Sequence, residues 1–288
     1  MTKPLVYIPG KAFTDIAFLK YDPRSALDRV KNIVIKIGTA ALKNKTTGEL
    51  EEQVIKELAR QSSALMNQGK RITIVSSGAL GSGMAEYGLN REPEDIVDLQ
   101  ALCAIGQPDL MSVYKRYFQT HYQHIGQVLL KDGAISPANI KTMDVMYKRY
   151  NAIPIVNEND VETTVELEEL KQGRDNDRLA AELSTRLKAE LLIVLTDQKG
   201  FYDGDPKEKD AKLISYVLGI DEDMEKMAND SDSVFTRGGM TSKLRISKYY
   251  DGDYIIASGK DMNIILDILN GKMIGTYIVG KKYGLLSR

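Results

Sequence analysis

The stretch NIVIKIG, Asn32 to Gly38, sets three β-branched residues side by side, then a lysine, an isoleucine and a glycine. A run this short and apolar on both faces reads as a buried strand, and the glycine ends it. Downstream, Glu51 to Gln68 places Val54, Leu58 and Leu65 on one helical face before Gly69 stops the helix. ITIVS from Ile72 is a second strand, and small residues then lead into a helix containing Met84 and Tyr87. Asp95 to Gln123 reads as a helical pair restarted at Pro108, and GQVLL around Val128 as the next strand. Ser136 followed by Pro137 is a helix entry, a capping hydroxyl with proline at the first helical position. IPIV from Ile153, LLIVL from Leu191, YIIAS from Tyr254 and TYIV from Thr276 complete the series of strands. Strands apolar on both faces and spaced by helices predict an α/β protein, a mostly parallel central sheet with helices on each side.

Residues 1–30 hold Pro4, Pro9, Gly10 and Pro23 and show no sustained period, so they read as an irregular amino-terminal extension. No linker divides the remainder, and 31–288 is expected to be one domain. The acidic segment Val165 to Asp175 reads as an exposed hairpin or loop. The 39 basic and 40 acidic residues nearly cancel, so no broad basic field points to a nucleic-acid partner. The longest uncharged stretch, Ile72 to Ala85, is shorter than the roughly 18 apolar residues of a membrane span. Pro4, Pro9, Lys11 and Asp15 interrupt any secretory signal, which makes a cytoplasmic location the expectation. Cys103, the lone cysteine, excludes an internal disulfide, and its apolar setting in LQALCAIG predicts a buried, inert thiol.

Ligands of open α/β sheets collect at the carboxyl ends of the strands. Here those ends carry Lys36-Ile-Gly38-Thr39, Ser76-Ser77-Gly78-Ala79, Asn157-Glu-Asn-Asp160 and Thr196-Asp197. An ammonium inside an Ile and Val strand is costly unless it meets an anion, though Lys36 taken alone reads equally well as an edge-strand lysine that discourages aggregation. RGGMTSK, Arg237 to Lys243, places two glycines before a helix start, an arrangement that can bind phosphate and can also be a plain loop. It lacks Walker spacing. GRDNDR, Gly173 to Arg178, opens a helix, and its acids and amide suit either capping or a site. TDQKGFYDGDP, Thr196 to Pro206, follows a strand as an aromatic, glycine-rich loop suited to contacting a nucleotide.

In this order IKIGT, IVSSGAL, AIGQ, IPIVNEND, DND, LLIVLTDQKGFY, GGM-x-x-K and IGTY resemble the amino acid kinase family over roughly Val30 to Val279. The NEND and DND pair is similar to the branch that phosphorylates the side-chain carboxylate of L-glutamate, the first step toward proline. The resemblance implies a three-layer α/β/α sandwich that moves the γ-phosphoryl of ATP to form L-glutamyl 5-phosphate. It implies Lys36 and Lys243 on either side of the transferring group, Asp177 as organiser between them, and Gly38 and Gly78 letting backbone amides approach phosphate oxygens. Ser77, Asp160 and Asn176 match glutamate-binding positions: Asp160 would pair with the α-ammonium, while the hydroxyl and amide would fix carboxylates. Thr196, Asp197, Arg237, Gly238, Gly239, Met240, Thr241, Ser242 and Lys243 match the ATP side, together with Lys36. Mg²⁺ is implied as a phosphate-bound ion with no dedicated protein metal cluster. A homo-oligomer, dimer or tetramer, and restraint by L-proline are implied too. So is a form without the carboxy-terminal PUA domain. Arg237 stands where many relatives have threonine, Leu244 to Asp253 is shorter than usual, and residues 1–30 have no counterpart.

The chemistry suits the residues. A carboxylate with a pKa of about 4.3 is ionised at neutral pH and needs no general base, so His121 and His124, expected at a helix end or turn, are not needed for catalysis. What the reaction needs is positive charge and positioning. Relatives acting on aspartate, N-acetylglutamate, carbamate or UMP are the alternatives. Asp160 argues against an acetylated amine, and the two lysines argue against a catalytically silent sensor.

Overall fold

The computed structural model describes residues 4–15, 22–44, 47–131, 135–162, 176–231 and 239–281. Its strands are β1 (Leu5–Ile8), β2 (Ala12–Asp15), β3 (Asn32–Ile37), β4 (Arg71–Ser76), β5 (His124–Leu130), β6 (Ala152–Glu158), β7 (Leu191–Thr196), β8 (Ile214–Val217), β9 (Asp253–Ser258) and β10 (Thr276–Ile278). The helices are α1 (Thr39–Leu42), α2 (Glu52–Asn67), α3 (Ala79–Glu86), α4 (Ile96–Gln119), α5 (Pro137–Tyr150), α6 (Asn176–Leu187), α7 (Glu222–Ser231), α8 (Met240–Arg245) and α9 (Ile264–Leu269). The strands form one sheet in the order β2-β1-β8-β10-β9-β7-β3-β4-β6-β5. From β9 to β5 every neighbour is parallel. β10 turns antiparallel to β9, while β8 and β1 run parallel to β10.

Successive side chains of a strand face opposite sides of the sheet, and each side has its own core. Ile33, Ile35 and Ile37 pack with Leu58, Leu65, Leu110 and Phe118 on one face. Val34 packs with Leu183, Leu192, Val194 and Leu244 on the other. Both faces are thus covered by helices, giving the α/β/α sandwich expected from the sequence. Full burial of each such Ile or Val contributes about 1.5–3 kcal/mol, which is why the central strands read as continuous apolar runs. β3 lies in the middle of the sheet, with Lys36 opposite Val75 of β4 and Val194 of β7. The edge-strand reading of Lys36 is therefore excluded.

Several expectations need correction. Residues 1–30 are not irregular where described: β1 pairs with β2 and β8, and a 3-10 helix spans Pro23–Arg29. Arg24 within it is 1% exposed, stacks on Tyr216 and Tyr277, and donates to the carbonyls of Ile274, Ser215 and Gly275. Four-residue strands between prolines carry too few residues for a period to emerge, and their partner lies some two hundred positions away. α4 is one helix through Pro108, not a pair. Packing against α2 and α3 holds it continuous although proline has no N–H for the preceding turn. α3 and α4 cross backbone to backbone: a Cβ on Gly83 would stand 2.0 Å from the Leu102 carbonyl, and one on Gly106 2.1 Å from that of Ala79. Cys103 is only partly buried, at the margin of the core. His124 begins β5 instead of ending a helix. The Val165 to Asp175 segment lies outside the described residues. The Ser136 entry has the expected cap and adds a reciprocal bond in which the Ser136 amide donates to Asn139 Oδ1.

Candidate active site

From β3 the chain builds β4, then the edge strand β5, then β6 between them, and crosses to β7 on the other side of β3, so the sheet reverses its direction of growth at β3. Crevices form at such points, beyond the carboxyl ends of the strands. Lys36 is the penultimate residue of β3 and faces the side covered by α6 and α8, opposite Ile35 and Ile37. Its Nζ lies 2.7 Å from Oδ1 of Asp177, the second residue of α6. Lys243 of α8 brings its Nζ to 3.3 Å from the other oxygen, Oδ2, and Ser242 Oγ donates to that oxygen at 2.8 Å. Lys36, Asp177 and Lys243 are 2%, 1% and 5% exposed, respectively, so all three charges are removed from bulk water. Buried charges of this kind persist only when paired. One carboxylate clamping two ammoniums holds both aimed at the same region. Tyr254, buried behind α8, has its phenol held above its ordinary pKa by burial and then by the Asp177 charge, and stays a neutral donor toward the Leu244 carbonyl.

Beside this ion cluster lies a chain of amides. Asn176, next to Asp177, donates through Nδ2 to the Ser76 carbonyl at 3.0 Å, to Ser77 Oγ at 3.1 Å and to Asn157 Oδ1 at 3.0 Å. Asn157 in turn donates to Gln107 Oε1 at 2.9 Å. These bonds join the ends of β4, β6 and α6 to α4, and Asn176, Asn157 and Gln107 are all buried. Because the Asn176 amide hydrogens are engaged with protein acceptors, the group it can offer a ligand is its carbonyl oxygen. Such an acceptor suits an ammonium.

Gly38 donates its N–H to the Leu195 carbonyl at 3.1 Å, so that amide is held by the sheet. The missing side chain instead leaves space beside the cation, since a Cβ there would stand 3.2 Å from Lys36 Nζ. Gly78 caps α3 with φ of +111°, a left-handed conformation that favours glycine, at the end of β4. Thr196 ends β7 and Asp197 follows it, with the Thr196 carbonyl accepting from the Gly259 amide. Asp160 opens the 3-10 turn Asp160–Glu162, three residues beyond Asn157. Gly239 precedes α8, and its carbonyl accepts from Ser242 Oγ at 2.8 Å; Met240 and Thr241 follow within the first turn. Arg237 and Gly238 lie outside the described residues. Thus the structure joins Lys36, Asp177, Ser242 and Lys243 in one cluster and Ser77 with Asn176 in the adjoining one. Asp160, Thr196 and Asp197 stand at the same strand ends. Gln107 was not among the candidate residues, although an amide inside the apolar helix run LCAIGQPDL was the available signal, and Asn157 was named only as part of a strand end.

The chain is similar to known proteins over most of its length. Glutamate 5-kinase of Clostridium perfringens is 38% identical over 268 residues, covering 90% of this chain and 99% of that protein. Glutamate 5-kinase of Enterococcus faecalis is 39% identical over 264 residues, covering 89% and 97%. Among solved structures, an isopentenyl phosphate kinase superposes with a TM-score of 0.60 at 20% identity, over 86% of this chain and all of that one. UMP kinase from Bacillus anthracis gives 0.57 at 14% identity, over 88% of this chain and 96% of that one. Such identities speak for the fold alone. The sequence itself matches the Amino acid kinase family across residues 31–248, and the chain belongs to that family.

Proposed function

We propose that the protein is a glutamate 5-kinase, transferring the γ-phosphoryl group of ATP to the side-chain carboxylate of L-glutamate. The observation that carries the reading is the buried convergence of Lys36 and Lys243 on the two oxygens of Asp177, at 2.7 and 3.3 Å. A substrate carboxylate oxygen attacks the γ-phosphorus, a new P–O bond forms, and the bond to the β-phosphate oxygen breaks with its electron pair leaving on ADP. No proton needs to be removed from the nucleophile. The barrier lies in bringing an anion to a polyanion and in the charge carried by the transferring group. Two preorganised ammoniums lower both.

Glutamate is held on the amide side of the site. Asp160 and the Asn176 carbonyl oxygen supply acceptors for its α-ammonium, and Ser77 supplies a hydroxyl for a carboxylate. The nucleotide lies toward Thr196, Asp197 and the turn leading into α8. Arg237 and Gly238, which precede Gly239 in the sequence, belong to the nucleotide side in the same reading. Among the described residues no three His, Cys, Asp or Glu side chains converge to hold a metal ion. Mg²⁺ would be carried on phosphate oxygens and water, where it neutralises charge on the triphosphate. Residues 31–288 form a single catalytic domain in this reading, supported by the continuity of one sheet, which β1 and β2 extend at its edge. Assembly into a dimer or tetramer and restraint by L-proline complete it.

The test is ADP release over a panel of acceptors, with hydroxylamine trapping of the acyl phosphate. Glutamate should yield the hydroxamate. A hydroxamate from aspartate or N-acetylglutamate but not from glutamate would overturn the assignment. Repeating the assay with proline, and sedimentation of the full chain, test the remaining two points.

A further inference from the structure

The site uses nothing from the hairpin of β1 and β2, yet that hairpin is tied to one particular place, the start of α7. Tyr7 donates its hydroxyl to Asp221 Oδ1 at 2.5 Å, and the Gly10 amide donates to Oδ2 at 3.2 Å. The same carboxylate caps α7 by accepting from the Met224 amide at 3.0 Å, and the Asp221 carbonyl accepts from Glu225 at 3.0 Å. Neighbouring contacts fix the joint: the Leu218 amide donates to the Tyr7 carbonyl at 3.1 Å, and Phe13 meets the Tyr7 ring edge-on at 5.5 Å.

What α7 does next gives this joint its meaning. Met224 and Ala228 of α7 share an apolar cluster with Leu244 of α8 and Ile246, which follows it. Glu225 pairs with Lys248 at 3.5 Å. α7 thus packs on α8, the helix that brings Ser242 and Lys243 to Asp177. α7 also precedes, along the chain, the glycine-rich entry to α8. A helix whose first turn is released can shift along its packing surface, and α8 would shift with it.

We propose that Tyr7 and Asp221 form a brace through which the amino-terminal hairpin positions the segment from Gly239 to Lys243, making both of them positioning residues for ATP. The inference rests on reading that segment as the nucleotide side of the site.

Tyr7→Phe removes one hydroxyl and keeps the ring contact with Phe13. It should raise the ATP dissociation constant and KM about 3- to 10-fold and leave the glutamate KM within about twofold. Asp221→Ala removes the cap and the tether together and should raise both ATP values by about 10-fold or more. Asp221→Asn keeps an oxygen for Met224 and Tyr7 and should restore ATP binding to within about threefold of the wild type. Adding Tyr7→Phe to Asp221→Ala should change nothing more, because the two act through one bond. Calorimetry of ATP binding to the full chain without glutamate reads the effect independently of turnover. If Asp221→Ala lowers the melting temperature yet binds ATP like the wild type, or if both substrate KM values rise together, the brace is refuted. A wild-type chain that binds ATP but does not phosphorylate glutamate would overturn the proposed function and leave this test intact.

Discussion

Replacing Asp177 by Asn is the sharpest perturbation of the buried charge cluster. The side chain keeps its size, but the charge facing Lys36 at 2.7 Å and Lys243 at 3.3 Å disappears. At an effective dielectric constant of about 20, Coulomb attraction at those separations is about 6 and 5 kcal/mol before desolvation is subtracted. Desolvation offsets much of this, and breaking a buried pair from one side costs about 3–5 kcal/mol in total. Urea denaturation of Asp177→Asn should therefore show a stability loss of that size, a large share of the roughly 5–15 kcal/mol of an ordinary domain. The added substitution Lys36→Met should return part of the loss, since one stranded ammonium is replaced by an apolar chain of similar length. Two results would refute the reasoning: a loss below about 1 kcal/mol for Asp177→Asn, or a double variant no more stable than the single one.

Lys36→Met or Lys243→Met, each leaving Asp177 with one ammonium, should reduce kcat by about 10²- to 10⁴-fold with a smaller change in ATP affinity, measured by steady-state kinetics and calorimetry. Gln107→Leu removes the acceptor that orients Asn157, and the disturbance should reach Asn176, raising the glutamate KM about tenfold while the ATP KM holds steady. Burial acts to raise the Asp221 pKa, but the Tyr7 hydroxyl and the Met224 and Gly10 amides outweigh it, so the folded value lies below the ordinary 3.8. Stability from this group is then fully present above the unfolded pKa and is lost as pH falls through the folded value. Denaturation curves recorded at acid pH should accordingly be flatter for Asp221→Asn than for the wild type.

Much of the fold was legible because the strands that matter most are buried on both faces. Asn32 to Ile37, Ile72 to Ser76 and Leu191 to Leu195 each announce themselves as apolar runs, and the glycine, serine and threonine after them mark the crevice. The outer strands left no such mark: Leu5–Ile8 and Ile214–Val217 are four residues long and owe their conformation to pairing across the chain. Pro108 misled for a related reason, since the propensity against an interior proline was overridden by packing on α2 and α3. Lys36 and Asp177 could be named from the sequence, one as a charge out of place in a strand and the other by resemblance. Their meeting was implied by the resemblance and not by the residue pattern, because it depends on α6 and β3 being brought together over 141 positions by the sheet. The Gln107–Asn157–Asn176 series stayed hidden for a different reason. Which end of an amide faces a ligand is decided by its neighbours, and only the geometry reveals that the Asn176 hydrogens are engaged.

The most direct test is a crystal structure with ADP, Mg²⁺, L-glutamate and aluminium fluoride, the fluoride standing in for the migrating phosphoryl group. The expected result is an aluminium centre in line between the glutamate side chain and ADP, with the Lys36 and Lys243 ammoniums both donating to its fluorides and Asp177 still between them. A complex in which the fluoride sits against neither lysine, or against only one, would contradict the central claim.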